Sequence, residues 1–356
     1  MDLRRNLEQI ATSRGLVGFG VCSADPFPEV AVELMERTSS GKSAGMHFTF
    51  GDPARSSDVR VSFPWAERIL VGAWGYLPKA GGPGSPGRGS GRVARFATED
   101  HYVGLRSALG EVAAELIREG HRAEVLVDDN RLVDRAAAVR AGVGWWGKNS
   151  MVLAPGAGPW LLLGSVATDA ALDVSEPMAR DCGTCSACLP ACPTGALVAP
   201  GVLDASRCLA YWAQAPGSVP VEFRSAMGDR FYGCDDCLDA CPPGSRALES
   251  ATDVVGRVDL LEVLTSDDES LMNQFGHFYV PRRDPNYLRR NALIALGNSG
   301  GESDVNAAID YLDDPDWLLR AHAAWAVAQI GGTAAHAALA VARHTESDPR
   351  VLAELE

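Results

Sequence analysis

Eight of the nine cysteines in this chain fall into two sets with metal-ligand spacing. The first is Cys182, Cys185, Cys188 and Cys192, followed by Pro193. This is the C-x₂-C-x₂-C-x₃-C-P run of bacterial ferredoxins. The second is Cys208, then Cys234, Cys237 and Cys241 followed by Pro242, the same run with a long insertion after its first cysteine. In two-cluster ferredoxins the last cysteine of each run ligates the other cluster. One 4Fe–4S cluster is therefore expected on Cys182, Cys185, Cys188 and Cys241, and a second on Cys208, Cys234, Cys237 and Cys192. Two adjacent clusters pass electrons one at a time. Structural zinc also takes C-x₂-C pairs, but zinc fingers rarely use this spacing ending in proline, and here that ending occurs twice. Cys22 stands apart in an apolar run and reads as a small core residue.

A second constellation lies at 127–150. Asp128, Asp129 and Asn130 precede Asp134 and Arg135, and Gly142, Gly144 and Gly147 bracket Trp145 and Trp146 ahead of Lys148, Asn149 and Ser150. The plain reading is a helix and a surface turn, with Asp134 in a salt bridge to Arg135 or Arg140. Gly147-Lys148 is not a phosphate-binding P-loop, because Asn149 stands where that motif needs Ser or Thr. A nucleoside triphosphatase is thereby disfavoured.

These residues need a scaffold, and 356 residues favour two or three domains. Residues 3–14 pattern as an amphipathic helix ending at Gly15, and 17–22 as a buried strand. Further strands are expected at 68–76, 123–128 and 160–168, and helices at 102–119 and 132–141. That alternation predicts an α/β layer fold over 1–175. The stretch 81–91, rich in Gly and Pro, is expected to be a flexible loop. Residues 176–250 form the expected double-cluster, ferredoxin-like domain, ordered largely by metal ligation. Residues 251–356 are expected to be helical. Asp284-Pro285 begins a segment echoed at Asp314-Pro315 and again at Asp348-Pro349, which suggests stacked helix pairs of the HEAT kind.

Composition narrows the setting. A net charge of −14 argues against broad nonspecific nucleic-acid binding but not against a local basic patch. No apolar run approaches the ~20 residues that cross a bilayer. Residues 1–8 hold no apolar h-region, so no signal peptide is expected. Clustered thiolates suit a reducing compartment. A cytoplasmic, soluble, monomeric protein without membrane contact is expected.

The chain resembles the epoxyqueuosine reductases, cobalamin-dependent iron–sulfur enzymes of tRNA modification. The resemblance rests on Val133-Asp134-Arg135-Ala136, on the run 141–149 through both tryptophans to Asn149, and on the first cysteine set. It extends to Phe231–Tyr232 with Cys234, Asp235, Asp236 and Cys237, and to Arg289-Arg290-Asn291 with the apolar run up to Asn298. It implies an α/β cobalamin-binding catalytic domain, two clusters and an external low-potential electron donor. It further implies that Asp134 is the proton donor and that Lys148, Asn149 and Ser150 lie against the corrinoid. Asp235 matches a position near the cobalamin, and Arg95 matches a family segment, here Val93 to Phe96. The chain departs from the family pattern at Arg131, at His101 and Tyr102 (which stand in exchanged order), at Phe48 and at Pro243-Gly244.

The implied reaction is reductive removal of the epoxide oxygen from epoxyqueuosine at the wobble position of a tRNA, giving queuosine. Its partner is the anticodon stem-loop, whose unstacked bases can enter a pocket. Residues 281–356 hold seven Arg, no Lys and eleven acids. Of these, Arg282, Arg283, Arg289 and Arg290 cluster, and they are the expected phosphate contacts. One alternative is a cobalamin and iron–sulfur reductase acting on a small molecule, like the reductive dehalogenases. A simple ferredoxin-type carrier is another, and it leaves the α/β region without a use.

Overall fold

The computed structural model describes residues 2–77, 89–249, 251 and 256–356. Packing divides the chain into two compact units. The first comprises 1–79, 100–206 and 236–252, and the second 80–99, 207–235 and 253–356. The cysteine-rich segment 176–250 is shared between them.

In the first unit, strand Arg68–Gly75 lies between Gly18–Ser23 and Leu161–Thr168, with Ala123–Leu126 outermost beside the latter. Every neighbouring pair is antiparallel, in registers that set Cys22 against Ile69 and both Val71 and Leu126 against Ser165. Alternation along a strand sends successive side chains to opposite faces. Ile69, Val71 and Ala73 therefore join Cys22 and the alanines of helix Asp134–Arg140 on one face. Leu70 joins Leu7 of helix Leu3–Ser13 and Leu105, Leu109, Val112 and Leu116 of helix His101–Arg118 on the other. Each of those leucines contributes about 1.5–3 kcal/mol by leaving water. Burial pushes the Cys22 thiol up to about 12, so it is an inert core group, as the sequence suggests.

The helix expected at 132–141 begins only at Asp134: Leu132 and Val133 are buried core residues outside the helix, Val133 at φ −86° and ψ 86°. Asp134 is thus the first helical residue. Of the glycine-rich stretch, 81–88 lie outside the described residues. Its last residues, Ser90 and Gly91, are not loop but open strand Ser90–Val93.

That strand belongs to the second unit, where it runs parallel to Arg230–Tyr232 and antiparallel to Gly256–Asp259. The helices of the array follow: Leu260–Thr265, Asp268–Gln274, Asn286–Ser299, Trp317–Ile330, Thr333–Thr345 and Pro349–Leu355, with a short turn of helix at Val305–Ile309. The Asp-Pro echo marks helix starts. The Asp284 and Asp348 carboxylates accept from the Asn286 and Arg350 amides, and Asp314 positions Asp316, whose carboxylate caps Leu318 N–H. Gly297 lets helices Asn286–Ser299 and Trp317–Ile330 approach closely, since a Cβ there would lie 2.7 Å from the Trp325 ring.

One expectation is corrected by this packing. Helix Asn286–Ser299 is buried on every face from Leu288 to Gly297, and Arg289 and Arg290 lie within that stretch. Arg289 donates to Asp268 Oδ1 at 2.6 Å and to the Ser266 carbonyl at 2.8 Å. Arg290 is 0 % exposed, and its fork donates to the carbonyls of Trp212, Ala215 and Gly217. Arg290 is sealed from solvent and Arg289 is already paired with an acid, so neither stands free as a phosphate contact must. Arg282 and Arg283 are exposed and stand consecutively in left-handed backbone, at φ +54° and +57°. Among the described residues no helix is long and apolar enough to cross a membrane.

Candidate active site

Asp134 is half-buried, and its Oδ1 is enclosed without a hydrogen-bond partner. Burial raises its pKa well above the ordinary 3.8, and the neighbouring Asp128 carboxylate adds to the rise against the pull of Arg135. The helix N-terminus opposes this by about 0.3–1 kcal/mol, less than one pKa unit, so burial decides. Neither expected salt bridge forms. Arg140 donates to the carbonyls of Asp25 and Pro26 over the Phe27 ring, and Arg135 Nη1 donates to Ser150 O at 3.3 Å. Solvent reaches Arg135, yet the protein around it lowers its pKa. Asp134 is thus partly enclosed at the start of its helix, while Arg135 reaches solvent.

The tryptophan run forms a hairpin, with Trp145 opposite Leu153 and Trp146 opposite Val152. Its turn holds Lys148, Asn149 and Ser150. Gly144 is required there: a Cβ would sit 2.3 Å from the Leu153 carbonyl. Ser150 takes φ +64°, a left-handed conformation costly for a serine. Asn149 is buried, its Oδ1 accepts from Met151 N–H, and its Nδ2 has no partner. An enclosed amide donor and an enclosed carboxyl oxygen, joined through Arg135 and Ser150, fit a polar ligand such as a corrinoid with its amide side chains. Lys148 does something else as well: its Nζ donates to Gly183 O at 2.7 Å, inside the first cysteine set.

Of the first predicted cluster, Cys182, Cys185, Cys188 and Cys241 all belong to the first unit. Burial raises Cys188 and Cys241, and the neighbouring thiols of the same four add to it, so the structure brings Cys241 to the first set. Cys188 opens a short helix, Cys188–Ala191, that packs on Asp236–Asp239, which carries Cys237. Cys241 packs on Trp145 and Leu153 of the hairpin, beneath Met178. At Cys192 burial raises the pKa, but hydrogen bonds from Thr194, Ala196 and Leu197 together outweigh it and the thiol is lowered. Ala196 N–H donates to its Sγ at 3.2 Å. Thiolates receiving N–H bonds suit an iron–sulfur cluster. At the departure Pro243-Gly244, the Gly244 carbonyl accepts from the buried Trp160 Nε1.

The second unit holds Cys208 and Cys234. Cys208 caps the N-terminus of helix Leu209–Gln214, and Cys234 follows strand Arg230–Tyr232. Arg95 and Asp235 pair there. The Asp235 carboxylate accepts from the Arg95 amide at 2.8 Å and from its Nη1 at 3.3 Å, with both side chains buried or nearly so.

Sequence reasoning named Tyr102 and Asp128 but gave neither a role. The Tyr102 phenol is pushed up to about 12 by burial and by the charges of Asp128 and Asp134, so all three groups are neighbours. Asp128 stands at φ +53°. The signal available was the turn-forming run of Asp128, Asp129 and Asn130 just ahead of Asp134.

Comparison with known proteins fits this arrangement. Residues 181–244 match the 4Fe-4S double cluster binding domain, and residues 281–356 match HEAT repeats. The chain is 31% identical to the epoxyqueuosine reductase of Bacillus cereus, covering 99% of this chain and 96% of that protein. It is 30% identical to that of Bacillus subtilis, covering 100% and 95%. A solved epoxyqueuosine reductase with a tRNA-Tyr epoxyqueuosine-modified tRNA stem loop is 30% identical, with a TM-score of 0.90 over 99% of this chain and 96% of that one. An oxidoreductase fold of α/β, double-cluster and HEAT-repeat parts, matched end to end at this identity, belongs to the epoxyqueuosine reductase family.

Proposed function

We propose that this chain reduces epoxyqueuosine to queuosine at the wobble position of a tRNA. Its relatives carry that activity in their name, and a related structure holds the modified stem loop. The reaction takes two electrons and two protons: the epoxide C–O bonds break, an alkene forms, and the oxygen leaves as water. The observation that carries the reading is the enclosed, unpartnered Asp134 carboxyl.

Burial keeps Asp134 protonated closer to neutral pH than an ordinary aspartate, so it holds a proton for the departing oxygen. Solvent supplies the second. Arg135, held on Ser150 O, ties the start of the Asp134 helix to the Asn149 turn. Asn149, Ser150, Lys148, Arg95 and Asp235 are the residues proposed to hold cobalamin. Cys182, Cys185, Cys188 and Cys241 hold one 4Fe–4S cluster, and Cys208, Cys234, Cys237 and Cys192 hold the other. When bound, these groups supply strongly reducing one-electron chemistry that no side chain offers. In this reading 1–175 is the cobalamin domain, 176–250 the cluster domain and 251–356 the repeat domain. The last presents Arg282 and Arg283 to the tRNA backbone. Electrons come from an external low-potential donor, and the protein acts as a cytoplasmic monomer.

The test is turnover by anaerobically reconstituted protein carrying both 4Fe–4S clusters and cobalamin. It is given epoxyqueuosine-bearing tRNA and a low-potential reductant, and the digested nucleosides are read by mass spectrometry. Queuosine is expected to replace epoxyqueuosine. Protein with all cofactors that leaves the epoxide intact overturns the proposal.

A further inference from the structure

The second unit contains a brace. Helix Leu209–Gln214 begins at Cys208, its N-cap, and is six residues long. Every helix leaves its last carbonyls without partners inside the helix. Here those carbonyls are taken by two adjacent side chains of helix Asn286–Ser299. Arg290 Nη2 donates to Trp212 O at 2.9 Å, and Asn291 Nδ2 donates to Ala213 O at 2.8 Å. Arg290 Nη1 continues onto Ala215 O at 2.7 Å and Gly217 O at 2.6 Å. Its remaining donors, Nε and the second Nη2 hydrogen, go to Asn291 Oδ1. A buried guanidinium has five donors, and all of them point at this one segment or at the amide that shares the task. No carboxylate lies in the set, so the cation is stabilised by main-chain carbonyl dipoles at a helix C-terminus. Further along, His322 Nε2 accepts from Val219 N–H, and Asn298 Nδ2 donates to Arg224 O and Gly228 O. The insertion between Cys208 and Cys234 is thus laid down along one face of the repeat array.

We infer that Arg290 and Asn291 are positioning residues for the second cluster: they fix the helix at whose other end Cys208 stands. The inference rests on Cys208 being a cluster ligand, and it gives the repeat array a role besides RNA contact. The first cluster, whose four cysteines lie in the other unit, is independent of the brace.

The experiment measures iron and labile sulfide per chain, and iron release to a chelator, on anaerobically reconstituted Arg290→Lys, Asn291→Ala, Val327→Ala and Cys208→Ala proteins. Lysine keeps the charge and loses the fork. Val327→Ala opens a cavity in the same array at a side chain that makes no hydrogen bond to the segment after Cys208. Expected for Arg290→Lys is a fall from about eight to about four irons per chain. Expected for Asn291→Ala is release of half the iron about tenfold faster, the effect of roughly one lost buried hydrogen bond. Val327→Ala is expected to hold its full complement, and Cys208→Ala to lose the same half as Arg290→Lys. Full iron and unchanged release in both brace variants overturn the inference. So does equal loss of both clusters, or the same selective loss in Val327→Ala. Should Arg290→Lys lose its helical circular dichroism, Asn291→Ala decides on the same criterion. Full iron in Cys208→Ala overturns the ligand assignment itself and removes the ground of the brace.

Discussion

Asp134 and Arg290 are two ionisable groups that the fold treats in opposite ways. Asp134 has an enclosed oxygen with nothing to accept from, while Arg290 has every donor engaged by carbonyls or by Asn291. Burial shifts both towards neutrality: Asp134 rises well above 3.8, and Arg290 falls to about 9. At neutral pH the arginine is still a cation, held by dipoles, whereas burial holds the carboxyl closer to its protonated form than an ordinary aspartate. A buried polar group that is fully satisfied stiffens a fold. One left unsatisfied marks a place where something else is meant to bind or react.

The contrast is broken most severely at Asp134. Asp134→Asn is expected to keep both cofactors and lower turnover by about 10²–10⁴-fold, the usual worth of a positioned proton donor. Wild-type turnover, measured against pH, should fall as pH rises through the raised Asp134 pKa, where the proton is lost. The same variant is expected to unfold at a higher temperature than the parent at alkaline pH. A folded pKa above the unfolded one means stability is lost as pH rises through it, and asparagine cannot ionise.

Arg290→Met goes the other way. It leaves the carbonyls of Trp212, Ala215 and Gly217 without donors and should cost about 3 kcal/mol or more in a denaturant titration. A smaller effect comes from His322, which is fully buried. Its Nδ1 donates to Leu318 O and its Nε2 accepts from Val219, so the ring is neutral. Burial and the nearby Arg224 and Arg290 hold its pKa well below 6.5. Stability from this group is complete above the unfolded pKa and should decline below it by about 1.4 kcal/mol per pH unit. His322→Gln should flatten that slope. The mildest effect is expected at the exposed pair. Arg282→Ala with Arg283→Ala should reduce the slope of log affinity for tRNA against log salt by about 1–2.

Much of this was legible in the residues. The cysteine spacing, the strands at Gly18–Ser23, Arg68–Gly75 and Leu161–Thr168, and the helix starts after each Asp-Pro follow from period and turn chemistry that any chain obeys. The antiparallel order of the first sheet was not legible, because pairing depends on contacts remote in sequence. The misreading of Arg289 and Arg290 has a definite cause. Clustered arginines suggest a surface, yet the run from Ala292 to Gly297 is small or apolar at every position, the pattern of a helix with no solvent face. Read with that run, the two arginines belong inside and need carbonyls or acids to receive them. Asp134 owes its prominence to the resemblance. Leu132 and Val133 are buried ahead of the helix, which therefore begins at the carboxyl.

Within 212–217 the fork of Arg290 meets only main-chain oxygens. The fork is therefore blind to which side chains occupy 212–217, where packing of Trp212, Ala213 and Ala215 and the φ of +82° at Gly217 set the limits instead. Adding or deleting a single residue in that stretch is another matter, since it shifts every carbonyl out of phase with the guanidinium. Drift in this lineage should accordingly be rigid in length between Cys208 and Gly217.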